Sequence, residues 1–494
     1  MESLIAGFES IFSIQIILWI ATGVTIGYIV GVLPGLGKGM AVAVAIPITF
    51  YITPIAAISF LIGIAKGSGA GSAVSAILLN TPGEPSSAPT ALDGYPLARQ
   101  GKAQKALKMG LFASVIGDFS ATLILIVLAA PLAKYALLIG PVELFAILLF
   151  SLTFIAGLSG QSLIKGMIAG MFGILASCVG LEIETAVPRL TFDLLELQDG
   201  LSLIPVAIGM LAISEVIDQM GNRDTLEAEK KVMGQNSSPD DNRITWSEWK
   251  VCLPAILRGT LIGSAVGILP GLGASVGSFL SYGATKKASK TPERFGKGAL
   301  EGVAAAESAD NAVVPASLVP LFAIGIPGSV IAAILIAAFM IQGVTPGPLM
   351  FVQQPKLVAG IYAAMLCASL LLLVIGYFGQ RLFAQVVSVP LRLILPAVCF
   401  LCVLGAFLQG GGIIGVNIML VFGIIGFIAK KFDFSFVTFL IGFVIGPSFE
   451  LTLRQSVALT GHSFLKLADH PIAILIFILT FITIWRFAVS KLKK

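Results

Sequence analysis

Charge is scarce in this 494-residue chain. Asp, Glu, Lys and Arg make up 12% of it against 57% hydrophobic residues, too few polar side chains to cover a soluble core of that size. Histidine is scarcer. His462 and His470 are the whole complement, which leaves no His-Glu-x-x-His for a membrane zinc hydrolase. Asp118 follows Val115-Ile116-Gly117, not the Gly-x-Gly that an intramembrane aspartyl protease needs. No Gly-x-x-x-x-Gly-Lys-Ser/Thr occurs, so ATP is not the energy source. The five cysteines, Cys178, Cys252, Cys367, Cys399 and Cys402, lie in or beside apolar runs. The Cys399-Phe-Leu-Cys402 spacing suits a metal or redox pair, but it has no second pair or His nearby and reads as packing. The start, MESLIAGFESIF, has two Glu and no Lys or Arg, so it lacks the basic region of a cleaved signal and the first span is expected to stay.

Apolar runs fill the rest, roughly at 11–33, 40–64, 107–130, 136–158, 163–180, 201–217, 251–269, 311–341, 357–379, 386–408, 411–429, 434–448 and 471–489. Each approaches the length that crosses about 30 Å of hydrocarbon. Continuous rather than alternating apolarity means helices, because backbone groups in lipid must bond internally. The expected fold is an all-α polytopic membrane protein of ten to thirteen segments.

The formal net charge is +5, and its distribution orients the chain. Lys and Arg gather at 99–108, at 286–297, at Lys430–Lys431 and in the tail (Arg486, Lys491, Lys493, Lys494), which the positive-inside rule places in the cytoplasm. The stretch 181–200 carries five acids and one Arg and reads as external. The Ser/Asn/Pro-rich segment 220–250 reads as a cytoplasmic linker between two halves, 1–219 and 251–494, with the N-terminus periplasmic and the C-terminus cytoplasmic.

One phrase occurs twice: GVLPGLG at 31–37 and GILPGLG at 267–273. The helix entering the first starts from the acidic N-terminus and that entering the second from the linker, so the two arrive from opposite sides. After the first come an uncharged turn (Tyr51–Pro54), a break at Thr81-Pro82-Gly83 and a basic loop; after the second come a basic loop, a break at Ile326-Pro327-Gly328 and an uncharged turn. SAVSAILLNTPG at 72–83 aligns with SLVPLFAIGIPG at 317–328. The order predicts inverted-topology repeats with broken or re-entrant helices.

Pro deletes a backbone donor and Gly permits left-handed backbone, so each phrase frees amides and carbonyls at membrane depth. Such backbone survives only around a cavity or ligand. Positive helix amino ends suit carboxylates and freed carbonyls suit cations, the pattern of a transporter's midplane site. The substrate-binding candidates are therefore Pro34, Gly35, Gly37, Lys38, Lys66, Gly71, Ser72, Asn80, Thr81, Pro82, Gly83, Pro270, Gly271, Gly273, Asn311, Pro327, Gly328 and Ser329. Glu307, Asp310, Asn311 and Asp118 are the cation-coupling candidates, since an ionisable group in the membrane is functional by default; Asp118 is alternatively an interior structural partner for a Ser or Lys. Glu84 is either a ligand or a cap for the helix after Pro85.

GVLPGLGKGMA, AILLNTPGEPSSAPTALDGYPLARQGKAQKAL, GILPGLGASVGSFLSYG, ESADNAVVPASLVPLFAIGIPGS and QGVTPGP resemble, in order and over nearly the whole chain, the large membrane subunit of the tripartite tricarboxylate transporters. The resemblance implies a bacterial inner-membrane secondary transporter that imports di- or tricarboxylates such as citrate. It implies coupling to a Na⁺ or H⁺ gradient, alternating access of a possible elevator type, a small four-span membrane subunit and a periplasmic solute-binding protein. The family's glycine-rich binding regions fall here on 33–38, 66–84, 269–273 and 307–329. Where many relatives resemble Tyr-Gly-Gly-Ser, this chain has Gly69-Ala70-Gly71-Ser72, a departure that bears on the substrate and not on the fold. No catalytic residue, cofactor or nucleic-acid partner is expected, and no metal beyond Na⁺. A membrane-embedded hydrolase lacks its motif, and a channel is disfavoured by mirrored breaks.

Overall fold

The computed structural model describes residues 7, 9, 11, 13–158, 162–182, 184–221, 242–386, 391–461 and 463–492. Most of the 220–250 linker and of the acidic start, with Lys493 and Lys494, lies outside these. The chain is helical as its apolar runs require: among the described residues the strands are two residues each, β1 (Gly180–Leu181) and β2 (Pro188–Arg189), paired antiparallel.

In chain order the first part comprises α1 (Ile14–Val32), α2 (Lys38–Ala45), α3 (Pro54–Leu79), α4 (Ala88–Arg99), α5 (Ala103–Ala136), α6 (Pro141–Leu158) and α7 (Leu163–Ser177). A span at 203–220 follows, built from α8 (Leu203–Ile208), a π turn (Gly209–Ile213) and α9 (Ser214–Gly221). Beyond the linker come α10 (Trp246–Ile268), α11 (Gly273–Ala288), α12 (Leu300–Ala316), α13 (Leu318–Ile324), α14 (Val330–Ile341), α15 (Pro355–Val386), α16 (Leu391–Gln409), α17 (Ile413–Lys431), α18 (Phe436–Thr460) and α19 (Pro471–Leu492). Among the described residues eight helices are long and apolar enough to cross a bilayer: α1, α3, α5, the 203–220 span, α10, α15, α17 and α18.

Two expected spans are placed differently. The run 40–64 is not one helix: α2 tightens into a 3-10 turn over Ile46–Tyr51 and a new helix starts on Pro54, whose missing amide suits a first turn. That helix, α3, is the span, and its expected end at 64 is extended to Leu79 through the polar stretch Lys66–Ser72. The run 311–341 is likewise three pieces, α12 to α14, and α12 begins earlier, at Leu300, including Glu301, Glu307 and Asp310. Hydropathy misplaces these helices because they carry the buried charges.

Packing at the centre is backbone against backbone. A Cβ on Gly23, Gly27 or Gly31 of α1 would collide with the carbonyl oxygens of Phe60, Ile64 and Ser68, and a Cβ on Gly63, Gly67 or Gly71 of α3 with those of Ile20, Val24 and Tyr28. Small residues at four-residue spacing permit this approach, which drives association where lipid supplies no hydrophobic gain. Laying 31–37 over 267–273 carries Gly23, Gly27 and Gly31 onto Gly259, Gly263 and Gly267 of α10, which face the carbonyls of Ala305, Ala309 and Val313 on α12. Beside these pairs, α15 packs on α1 and α3, and α5 on α10 and α12.

The loops sort by charge. Gln100 donates through Nε2 to the Lys297 carbonyl at 2.9 Å, joining the two basic loops. Gln342 donates to the Thr49 carbonyl at 2.9 Å, joining the two uncharged turns.

Candidate functional site

Each LPGLG phrase ends its helix the same way. Leu33 and Leu269 turn extended, and Gly35 and Gly271 follow at φ +84° and +86°, a region closed to most L side chains. The second breaks match too, with α3 ending on a left-handed Asn80 and α13 on a left-handed Gly325. The first and second breaks of each copy touch. Gly83 lies against the Gly31 carbonyl and Ser72, and Gly328 against the Gly267 and Ser317 carbonyls. The Gly271 amide donates to the Gly328 carbonyl at 3.0 Å. Ser72 Oγ pairs with Ser87 Oγ at 2.5 Å, and Ser317 Oγ with Ser329 Oγ at 2.9 Å. Ser329 also caps α14 by accepting from the Ala332 amide.

The first phrase delivers Lys38 to the second part of the chain. With Gly37 as its N-cap, α2 starts on Lys38, whose amide donates to Glu84 Oε1 at 3.1 Å. Its ammonium, 2% exposed, meets Asp310 Oδ1 at 2.7 Å and Glu84 Oε2 at 3.8 Å. One turn earlier on α12, buried Glu307 accepts from Thr90 Oγ1 at 2.5 Å and from Ser114 Oγ at 3.0 Å. Asn311 donates to Ser114 Oγ at 2.8 Å and to the Glu307 carbonyl at 3.0 Å. Gly69 leaves room here: a Cβ on it would press on Asn311 Oδ1 and Lys38 Cε. Two carboxyl groups, Asp310 and the partly buried Glu84, thus share one ammonium with a third, Glu307, one turn away, and among the described residues Asp310 Oδ2 has no hydrogen-bond partner.

Lys66 belongs to a separate cluster. Its Nζ donates to Asp118 Oδ2 at 2.6 Å, the Met365 carbonyl at 2.8 Å, Ser369 Oγ at 3.0 Å and Thr122 Oγ1 at 3.4 Å. Asp118 Oδ2 also accepts from Ser369.

The structure therefore gathers Gly37, Lys38, Glu84, Glu307, Asp310 and Asn311, and pairs Lys66 with Asp118. Gly35, after Pro34, lies beside Gln219 and Glu215 of α9, and Gly71 packs on the Tyr28 carbonyl. Thr81 bonds the Leu79 carbonyl at the exposed end of α3, followed by Pro82. Pro270, Gly271, Gly273, Pro327, Gly328 and Ser329 form the second break, where Gly271 abuts Ile155 of α6 and open space surrounds Gly273. Ser317 at this break is two turns along α12 from Asp310, about 10 Å.

Sequence reasoning missed Thr90, Ser114, Thr122 and Ser369, single hydroxyls without distinctive spacing. It also missed Asp93. This buried carboxylate accepts from the amides of Gly296, Gly298 and Ala299 at 2.8, 2.9 and 2.8 Å and from Tyr282 Oη at 2.8 Å. It thereby caps the start of α12 and joins it to α4. The available signal was an acid inside an otherwise uncharged stretch.

A multi-pass helical membrane protein with interrupted helices around buried ion pairs has the architecture of a transporter. The chain belongs to the Tripartite tricarboxylate transporter TctA family, whose model matches residues 17–441. It is 36% identical over 474 residues, 96% of this chain and 93% of the relative, to an Agrobacterium vitis protein named "Uncharacterized 52.8 kDa protein in TAR-I ttuC' 3'region". It is also 36% identical over 211 residues to "Uncharacterized protein in TAR-II ttuC' 3'region" of the same species, covering 43% of this chain and 87% of that one. No solved structure matches.

Proposed function

We propose that the chain imports a di- or tricarboxylate across the bacterial inner membrane, coupled to Na⁺ or H⁺. It works with a small four-span membrane subunit and a periplasmic solute-binding protein. Family membership supports the transporter role. The observation that carries the coupling is the surplus of acid: Asp310 and Glu84 share Lys38, buried Glu307 one turn away is held by the hydroxyls of Thr90 and Ser114, and among the described residues Asp310 Oδ2 has no hydrogen-bond partner. Uncompensated charge in a membrane interior costs several kcal/mol. A cation or proton relieves it, whereas a substrate carboxylate arriving first adds to it. Cation before acid is the binding order this favours, and reciprocal linkage makes each stabilise the other's binding. Glu307, Asp310 and Asn311 hold the cation in this reading, and the amides of Gly35, Gly37 and Gly83 at the breaks receive the acid.

Matching glycine seams, matching left-handed caps and the sorting of basic from uncharged loops support two inverted halves, 1–219 and 251–494, joined by the cytoplasmic linker 220–250. Alternating access follows from such a pair. The N-terminus is then periplasmic and the C-terminus cytoplasmic.

The test is uptake of labelled citrate and a panel of smaller diacids by proteoliposomes holding the three components, under an imposed Na⁺ or proton gradient. Uptake should need one gradient and vanish in Asp310→Asn. Equal uptake without either gradient refutes the coupling.

A further inference from the structure

The alignment that lays 72–83 over 317–328 also lays Lys66 over Asn311. The two sit in matching surroundings. Lys66 is on α3, sealed against α1 by glycines, and reaches Ser369 Oγ on α15 at 3.0 Å. Asn311 is on α12, sealed against α10 in the same way, and reaches Ser114 Oγ on α5 at 2.8 Å. Both serines follow an alanine, Ala368 and Ala113, on the helix that flanks each pair.

What differs is charge. Around Asn311 the ligands are acidic and the side chain at the matching position is neutral. Around Lys66 there is one acid, Asp118, and the position itself supplies a positive group that is 2% exposed. Its ammonium lies among four oxygens: the Asp118 carboxylate, the Met365 carbonyl and the hydroxyls of Ser369 and Thr122. Carboxylate, carbonyl and hydroxyl oxygens around a single positive charge are the ligand set of a small hard cation. All three ammonium protons find acceptors, so a role as a free anchor for substrate would cost those bonds.

We infer that the Lys66 ammonium is a built-in cation: it permanently fills the place where a duplicated fold would otherwise hold a second exchangeable ion. The chain then needs one cation from the gradient at the Asn311 cluster, and the Lys66 cluster stays neutral throughout the cycle. This count rests on the cation reading of the Asn311 cluster, but the character of the Lys66 pocket does not.

Removing the ammonium should open that pocket to a solute ion. The full chain is purified in detergent and its unfolding midpoint followed in NaCl, KCl or LiCl against choline chloride of equal ionic strength. Lys66→Ala leaves Asp118 buried without its partner, so its midpoint should rise with one of the small cations by several degrees more than the wild type does. Adding Asp118→Asn should erase that extra rise. Recovery of folded Lys66→Ala only in the presence of such a cation supports the proposal equally.

The proposal is overturned if Lys66→Ala responds to cations no more than the wild type. It is also overturned if acid alone rescues the variant, because a proton on Asp118 then replaces the lysine. Failure of Lys66→Ala to fold in every salt, while the neutral pair Lys66→Met/Asp118→Asn folds, overturns it as well. Should the Asn311 cluster bind no cation, the wild type and Lys66→Ala/Asp118→Asn will both ignore salt identity while Lys66→Ala alone still responds. The two readings therefore fail separately.

Discussion

Lys38 and Asp310, 272 positions apart, form a 2.7 Å ion pair that ties the helix following the first LPGLG phrase to α12. The lysine is the first residue after unwound backbone, and the aspartate lies two turns before the second set of breaks. The helix after the first LPGLG phrase is thereby fastened to α12, which carries Glu301, Glu307 and Asp310.

Breaking one side of this pair should be worse than removing both. Lys38→Met leaves Asp310 and Glu84 without their cation, with Glu307 one turn away, and should cost about 3–5 kcal/mol. Lys38→Met/Asp310→Asn should recover most of that stability and none of the uptake. Thermal unfolding and uptake of the two variants, compared with Asp310→Asn alone, check the difference. Equal stability of single and double variants would show that the pair is not a coupled unit.

Gly35 and Gly271 share a left-handed backbone, so Val at either position should stop transport. Their stability should differ. A Cβ at Gly35 meets chiefly the mobile end of Gln219, while one at Gly271 meets Ile155 down to its Cα. Gly271→Val should therefore lower the unfolding midpoint more than Gly35→Val. Normal uptake in both variants would reduce the phrases to kinks.

Asp93 gives a sharper stability contrast. Asp93→Ala strands three amides at the start of α12 and should cost about 3 kcal/mol or more, whereas Tyr282→Phe removes one hydroxyl bond worth about 1 kcal/mol. Asp93→Asn keeps an acceptor for the amides and should fall between. Unfolding midpoints of the three variants in detergent check the order.

The joining of loops by charge makes a topological test available. In a background without the five cysteines, Cys at Lys102 and Lys297 should label together from the cytoplasm, and Cys at Tyr51 and Leu349 together from the periplasm. All four labelling from one side would dissolve the inverted arrangement.

Helical class, the LPGLG breaks and the acids of α12 were legible from the sequence because proline, glycine and buried charge stand out against lipid-matched runs. Pairing was not. On sequence alone Asp118 is open to an interior Ser or Lys partner, but nothing local singles out Lys66 or Ser369, and nothing local to Glu307 marks Thr90 or Ser114, since hydroxyls in apolar helices share no spacing. The limits of α3 and α12 were misjudged for a related reason: a helix held by neighbours on every side can carry Lys66 or Glu307, whereas hydropathy assumes lipid contact.

The glycine seam between α1 and α3 also determines where motion can happen. With six glycines set against six facing carbonyls, sliding or rolling of one helix on the other drives main chain into main chain at every register. The two helices are therefore a single stiff plate, and the breaks at its end, Gly35 and Asn80, ride on it as one edge. At the boundary that Lys38 shares with Asp310 the contact is instead between side chains, which can rotate.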